Sequence, residues 1–239
     1  MDIEKVLLER STVYNYIHLH RAAKKIQNSS DTSIEFFLNV IREMKVWSGN
    51  GLAFGPENDY LDDGSLTWQD PRQLAALLNL LSNHTFDSYC EIGVFRFGTF
   101  VLISALLSRR SKNIKVTAVD INLIHATEEL KMILNDLKLD YTIIEGTSDK
   151  IKKDHFDLVF IDGDHTYEGA WRDYNNVGKY AKVVMIHDID DHNIRTVLED
   201  APNKLFNYIK GLRYTIGTAY FGRDVRDMGI GVIFSEDYF

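Results

Sequence analysis

From residue 88 onward the chain repeats one unit, a short apolar run followed by a stretch long enough for a helix. The runs are 88–94, 114–119, 141–145, 156–162 and 182–187, each rich in Val, Ile, Phe and Tyr. Short, continuous apolar runs read as strands buried on both faces, the signature of a parallel sheet. Parallel strands need crossover connections, and 98–110, 125–137 and 167–180 are long enough to supply them as helices. Glu91, Asp120 and Glu145 follow one another at 29 and 25 residues, and Asp162 and Asp188 lie 26 apart. This repetition predicts a doubly wound α/β fold of the Rossmann type.

The rhythm breaks near the C-terminal end. Residues 193–209 read as a helix, and the strand-like runs 213–221 and 229–235 follow with only a charged turn between them. Strands joined so tightly must be antiparallel. The expected sheet is mostly parallel, has seven strands, and ends in an antiparallel hairpin.

Upstream, 3–28 and 33–46 are helix-like, and 47–67 is rich in Gly, Asp and Asn. So long a loop is seldom idle, which makes it a candidate lid. Asp70 followed by Pro71 is a helix start, with the carboxylate as cap and the proline at the first helical position. The resulting division is a helical N-terminal extension with its lid loop over 1–69 and an α/β domain over 70–239. The extension also offers a surface for a homo-oligomer.

Composition excludes several classes. The net charge of −8 argues against a partner built on a phosphate backbone, and so against nucleic acid. Cys90 is the single cysteine, so no disulfide framework exists, and a reducing cytoplasm is the natural compartment. Asp2, Glu4 and Glu9 are out of place in a signal peptide. No run approaches the roughly 18 apolar residues of a membrane span, so no membrane partner is expected.

Polar residues gather where the strands end. Glu91, Gly93, Gly98 and Thr99 surround a turn that opens a helix, an arrangement that lets a ligand approach backbone closely. The same residues also suit a tight turn that binds nothing. Asp120 ends the second run, where a carboxylate accepts hydrogen bonds from ribose hydroxyls or caps a helix. Gly146, Thr147 and Ser148 follow the third run and either face a ligand or form an ordinary turn. All three groups fall at carboxyl ends of successive strands, where such folds bind ligands.

Taken together, 91–98, Val119-Asp120, Glu145-Gly146 and 156–165 resemble class I S-adenosylmethionine-dependent methyltransferases. Within that class they are similar to sugar and small-molecule O-methyltransferases of the macrocin O-methyltransferase and cephalosporin hydroxylase-like type, over roughly 70–235. The resemblance implies S-adenosylmethionine as cofactor, its methionine part beside Glu91, Gly93 and Gly98 and its ribose on Asp120. It also implies O-methylation of a small hydroxylated acceptor, such as a sugar or glycosylated metabolite. Phe97 stands where relatives usually carry a second glycine, and a ring there is expected to narrow the cofactor pocket.

The last two strands carry the candidate chemistry. Neighbouring parallel strands lie about 4.8 Å apart, so Asp162 and Asp188 can converge. Two converging carboxylates need a cation or a proton between them. Magnesium or manganese, held by Asp162, Asp188 and His187, meets that need. Relatives bind magnesium at the matching positions and often have an acidic residue where His187 stands, so His187 favours a softer ion, or none. The structural alternative makes Asp188 a helix cap and His187 the filling of a polar pocket. His165, three residues after Asp162, matches a histidine base in metal-dependent sugar methyltransferases and is the candidate base, or else a hydrogen-bonded loop histidine. Asp164 is expected to cap the helix near Thr166. Tyr167, Trp171 and Tyr174 recur at helical spacing and read as packing.

Two other functions stay open at this stage. A nicotinamide-dependent oxidoreductase would want the compact Gly-x-Gly-x-x-Gly turn, absent here. A non-catalytic binding or assembly protein that kept the fold draws its support from Phe97 and His187.

Overall fold

The structure is a computed structural model that describes residues 3–10, 16–44, 52–53, 66–67, 69–151, 155–189, 192–202, 205–209, 213–216, 225–227 and 229–235. Its helices are α1 (Ile3–Arg10), α2 (Tyr16–Asn28), α3 (Ile34–Met44), α4 (Pro71–Ser82), α5 (Gly98–Leu107), α6 (Glu128–Asp136), α7 (Tyr167–Asn176) and α8 (His192–Asp200). Its strands are β1 (Leu52–Ala53), β2 (Ser88–Ile92), β3 (Lys115–Asp120), β4 (Asp140–Glu145), β5 (Leu158–Ile161), β6 (Val183–His187), β7 (Leu205–Ile209), β8 (Arg213–Ile216), β9 (Val225–Asp227) and β10 (Ile230–Phe234). Most of the loop expected at 47–67 lies outside the described residues.

The five expected parallel strands pair in the order β4-β3-β2-β5-β6, and β10 adds antiparallel to β6. Six of the seven strands foreseen from the sequence therefore form the Rossmann-like sheet. The seventh is a correction. Residues 213–216 leave this sheet and join a separate small one in the order β1-β8-β9. The partner of β10 on its outer side is instead β7, taken from the end of the expected helix 193–209. That helix stops at Asp200 because Pro202 follows, and the residue before a proline is pushed out of helical geometry.

The helices cover both faces. On one side α5 buries all ten of its residues, with α2 packed on α5 and α3 on α4. This core includes Leu19, Ile26, Phe37 and Ile41 from the N-terminal helices together with Tyr89 and Phe160 from the sheet. The extension thus shares its core with the α/β domain. On the other side α7 and α8 pack over Cys90, Ile92, Val159 and Ile186. Tyr174 is buried there, with Trp171 stacked on it at 5.4 Å and Tyr167 beyond at 6.0 Å, which is packing. Asp70 caps α4 as its sequence predicts, its carboxylate accepting from the Arg72 and Gln73 amides at 2.8 and 3.2 Å. The first residues of the domain are thereby fixed beside the carboxyl end of the sheet.

Candidate active site

The carboxyl ends of β2 to β6 open on one cavity of about 720 Å³. Glu91, Gly93, Thr99, Asp120, Gly146, Thr147, Asp162, His165, His187 and Asp188 all line it. Gly98 and Ser148 do not. Ser148 is buried behind the wall, donating to Asp173 at 2.6 Å. Gly98 serves packing: its amide donates to the Leu66 carbonyl at 2.8 Å, and a Cβ there would fall 2.1 Å from that oxygen.

The turn after β2 is held in unusual backbone geometry. Gly93 has φ +87°, and a Cβ on it would meet the Asp162 carbonyl at 2.2 Å, so only glycine lets the ends of β2 and β5 approach this closely. Phe97 adopts a left-handed conformation at φ +66°, a geometry that favours glycine. Its ring is fully buried in the core against Phe100, 6.2 Å away, and does not line the cavity. The expected narrowing of the pocket does not occur, because the backbone twist carries the side chain away from it.

Strand alternation puts Tyr89 and Glu91 on one face of β2, and the Tyr89 hydroxyl donates to Glu91 Oε2. Burial pushes the Glu91 carboxyl well above the ordinary carboxylate range, against the pull of the Tyr89 hydrogen bond, and the charges of Asp162 and Asp120 push the same way. Asp120 is gripped by its own neighbourhood, accepting the Phe95 amide on Oδ2 and the Asn122 amide on Oδ1, each at 2.9 Å. Each carboxylate oxygen keeps a lone pair for a ligand hydroxyl.

The register of β5 against β6 decides what meets beyond the strand ends. Ile161 pairs with Ile186, so Asp162 comes level with His187, and Asp188 stands one residue further out. His187 Nδ1 accordingly lies 3.0 Å from Asp162 Oδ1 and 3.1 Å from Asp188 Oδ1. These are ion-pair contacts without hydrogen-bond alignment. Burial alone would lower the His187 pKa; the charges of Asp162 and Asp188 outweigh it and raise it to about 9. Asp188 has φ +56°, strained for a residue with a side chain and typical of functional turns. Its Oδ2 contacts Nδ1 of the exposed His165 at 2.7 Å. One donor atom each from Asp162, His165 and Asp188 lies within 4.8 Å of the others, close enough to share a cation. The sequence expected His187 beside the two carboxylates; the three donor atoms that gather here come from Asp162, His165 and Asp188.

Three polar lining residues escaped the sequence reading. Gln69 is buried and donates its side-chain amide to Asp162 Oδ2 at 2.5 Å. Arg172 and the buried Asp173 close the side near Gly146, with Arg172 Nε 3.3 Å from Asp173 Oδ1. Asp164 does not cap α7. Thr166 does, accepting the Gly169 amide at 3.1 Å, while Asp164 accepts from Thr166 itself.

Residues 90–189, from β2 to the turn after β6, match the family described as a methyltransferase domain. No curated protein matches the chain. Among solved structures, the O-methyltransferase from Bacillus cereus in complex with SAH is similar at TM-score 0.51, with 14% identity over 87% of this chain and 93% of its own. Cofactor-bound Rv0187 from MTB is similar at TM-score 0.51, with 15% identity over 72% of this chain and 83% of its own. At these identities the likeness is one of fold. The chain has the mostly parallel Rossmann-like architecture of those proteins, and no described helix is long and apolar enough to cross a membrane.

Proposed function

We propose that this chain is an S-adenosylmethionine-dependent O-methyltransferase that acts on a hydroxyl of a small molecule, with a sugar or glycosylated metabolite as the acceptor. One observation carries the reading. A single cavity joins Asp120, at the strand end where ribose hydroxyls are held in such folds, to a cluster of Asp162, His165 and Asp188. The methyltransferase-domain match over 90–189 supports it.

The bound cofactor would supply an electrophilic methyl group on a sulfonium. Gly93 and Glu91 would wall its amino-acid end, and Asp120 would accept from its ribose hydroxyls. An acceptor hydroxyl must lose a proton as it attacks. His165 is placed to take it, because Asp188 engages Nδ1 and leaves Nε2 as the free nitrogen. Asp162 and Asp188 are the residues that would hold magnesium or manganese. Their oxygen donors with one imidazole suit such an ion, which would orient the acceptor and lower its hydroxyl pKa. His165 fills one of two roles, base or third ligand.

The reading of a non-catalytic protein loses the support of Phe97, whose ring is in the core. The test is calorimetry with S-adenosylhomocysteine, followed by a screen of nucleotide sugars and glycosides with labelled cofactor, with and without chelator. Labelled product that disappears with chelator and returns with manganese or magnesium supports both enzyme and metal. Product unchanged in excess chelator discards the metal and leaves His165 as the base. No binding of S-adenosylhomocysteine refutes the whole reading.

A further inference from the structure

We infer that Gln69, a residue outside the strand-end motifs, is the positioning residue that sets the orientation of the Asp162 carboxylate. The inference rests on the reading of Asp162, His165 and Asp188 as a cation-holding group.

The orientation of the Gln69 amide is forced by its surroundings. Thr67 Oγ1 lies 2.6 Å from Gln69 Oε1, the Thr99 hydroxyl also donates to that oxygen, and the two hydroxyls touch at 2.6 Å. Hydroxyls both donate and accept, so these contacts suit either orientation of the amide, and the Asp162 carboxylate decides between them. The reverse amide would press a carbonyl oxygen against the Asp162 carboxylate, with no proton between them. Nε2 therefore faces Asp162 Oδ2, at 2.5 Å. Among the described residues the partners of Asp162 are buried or backbone: Gln69 holds Oδ2, His187 stands 3.0 Å from Oδ1, and the Asp162 amide donates to the Ile92 carbonyl at 2.8 Å.

The segment carrying Gln69 is itself anchored. The Gly98 amide fixes the Leu66 carbonyl, and the capped start of α4 begins at Asp70, the next residue. A neutral amide is the suitable donor for this task. It orients the carboxylate without neutralising it, so the charge stays available to a cation, whereas Lys or Arg would compete for it. Hydrogen-bonded partners of ligating carboxylates orient the ligand in this way, and losing one typically costs about 10- to 100-fold in metal affinity.

The test uses the full chain, with Mn²⁺ alone as probe. Gln69→Met keeps the side-chain volume and removes the donor. Mn²⁺ affinity by calorimetry should fall about 10- to 100-fold, while S-adenosylhomocysteine affinity stays within about threefold. In a ¹⁵N spectrum of the wild type, the Gln69 side-chain amide, assigned by its loss in Gln69→Met, should shift in Asp162→Asn. Unchanged Mn²⁺ affinity in Gln69→Met overturns the inference, as does an amide resonance indifferent to Asp162→Asn. If the wild type takes no Mn²⁺, the reading of the cation group fails by itself. Gln69 is then judged on the resonance alone, where a shift supports it and no shift overturns it. Should Gln69→Met not fold, the Gln69 amide is assigned through bonds in the wild type, and Thr99→Val, which removes one of the hydroxyls that touch Oε1, replaces it. Lower Mn²⁺ affinity or a shifted Gln69 amide then supports the inference, and the absence of both overturns it.

Discussion

His165 Nδ1 lies 2.7 Å from Asp188 Oδ2, so an exposed imidazole at the cavity mouth is tied by one nitrogen to the end of the neighbouring strand. The hydrogen bond with Asp188 raises the His165 pKa above its ordinary value, against a smaller opposing effect of burial. A base works only when deprotonated. Turnover should therefore rise with pH through that raised value and level off above it. Asp188→Asn, by weakening the bond, should move the rise to lower pH. His165→Ala should cut turnover about 10²–10⁴-fold and leave S-adenosylhomocysteine affinity near wild type. A near-wild-type rate in His165→Ala would make this histidine structural.

Asp120 is predicted to anchor the cofactor. A charged hydrogen bond contributes about 1.5–3 kcal/mol, so Asp120→Ala should weaken S-adenosylhomocysteine binding at least about tenfold by calorimetry. Asp120 also accepts the Phe95 amide at 2.9 Å, so the variant should loosen the turn after β2 as well. Faster hydrogen exchange at Phe95 checks that second effect. Unchanged affinity in a folded variant removes Asp120 from the site.

Phe97 is predicted to matter for stability and not for the cofactor. Truncating a buried Phe costs about 3–5 kcal/mol, and relief of the left-handed strain returns about 1 kcal/mol of it in Phe97→Gly. Denaturant unfolding should show a net loss of a few kcal/mol, with S-adenosylhomocysteine affinity unchanged. Tighter binding would mean the ring does obstruct the cavity.

The period of the apolar runs was enough to predict the five parallel strands, and Asp70-Pro71 enough to predict the start of α4, because both signals are local. The strand-end residues Glu91, Asp120, Asp162 and Asp188 were legible for the same reason. What escaped depends on distance in space. Nothing in the sequence ties Gln69 to Asp162, 93 residues away. The contact of His187 with Asp162 follows from the β5–β6 register, which a run of Val and Ile does not specify. The edge strand β7 lies within a stretch, 193–209, whose apolar pattern suits a helix, and Pro202 is the local signal that breaks it.

His187 makes the stability of the fold sensitive to pH. It is buried between Asp162 and Asp188, and their charges raise its pKa from 6.5 to about 9 although burial opposes this. A group whose pKa is raised by folding contributes stability that is fully present below its unfolded value, near 6.5, and lost as pH rises through its folded value. The window is therefore about pH 6.5 to 9. Above it a neutral imidazole no longer separates two carboxylates, and their repulsion adds to the loss. His187→Gln cannot titrate, so other groups cancel when its stability is subtracted from that of wild type. The difference should be near its full size at pH 6.5 and shrink by pH 9, by on the order of 3 kcal/mol at about 1.4 kcal/mol per pKa unit. Denaturant unfolding at the two pH values measures it. Asp188→Asn removes one of the two charges and should move the decline to lower pH. A difference that stays constant from pH 6.5 to 9 would show that His187 is neutral throughout, and the two carboxylates would then have to share a proton or a bound cation.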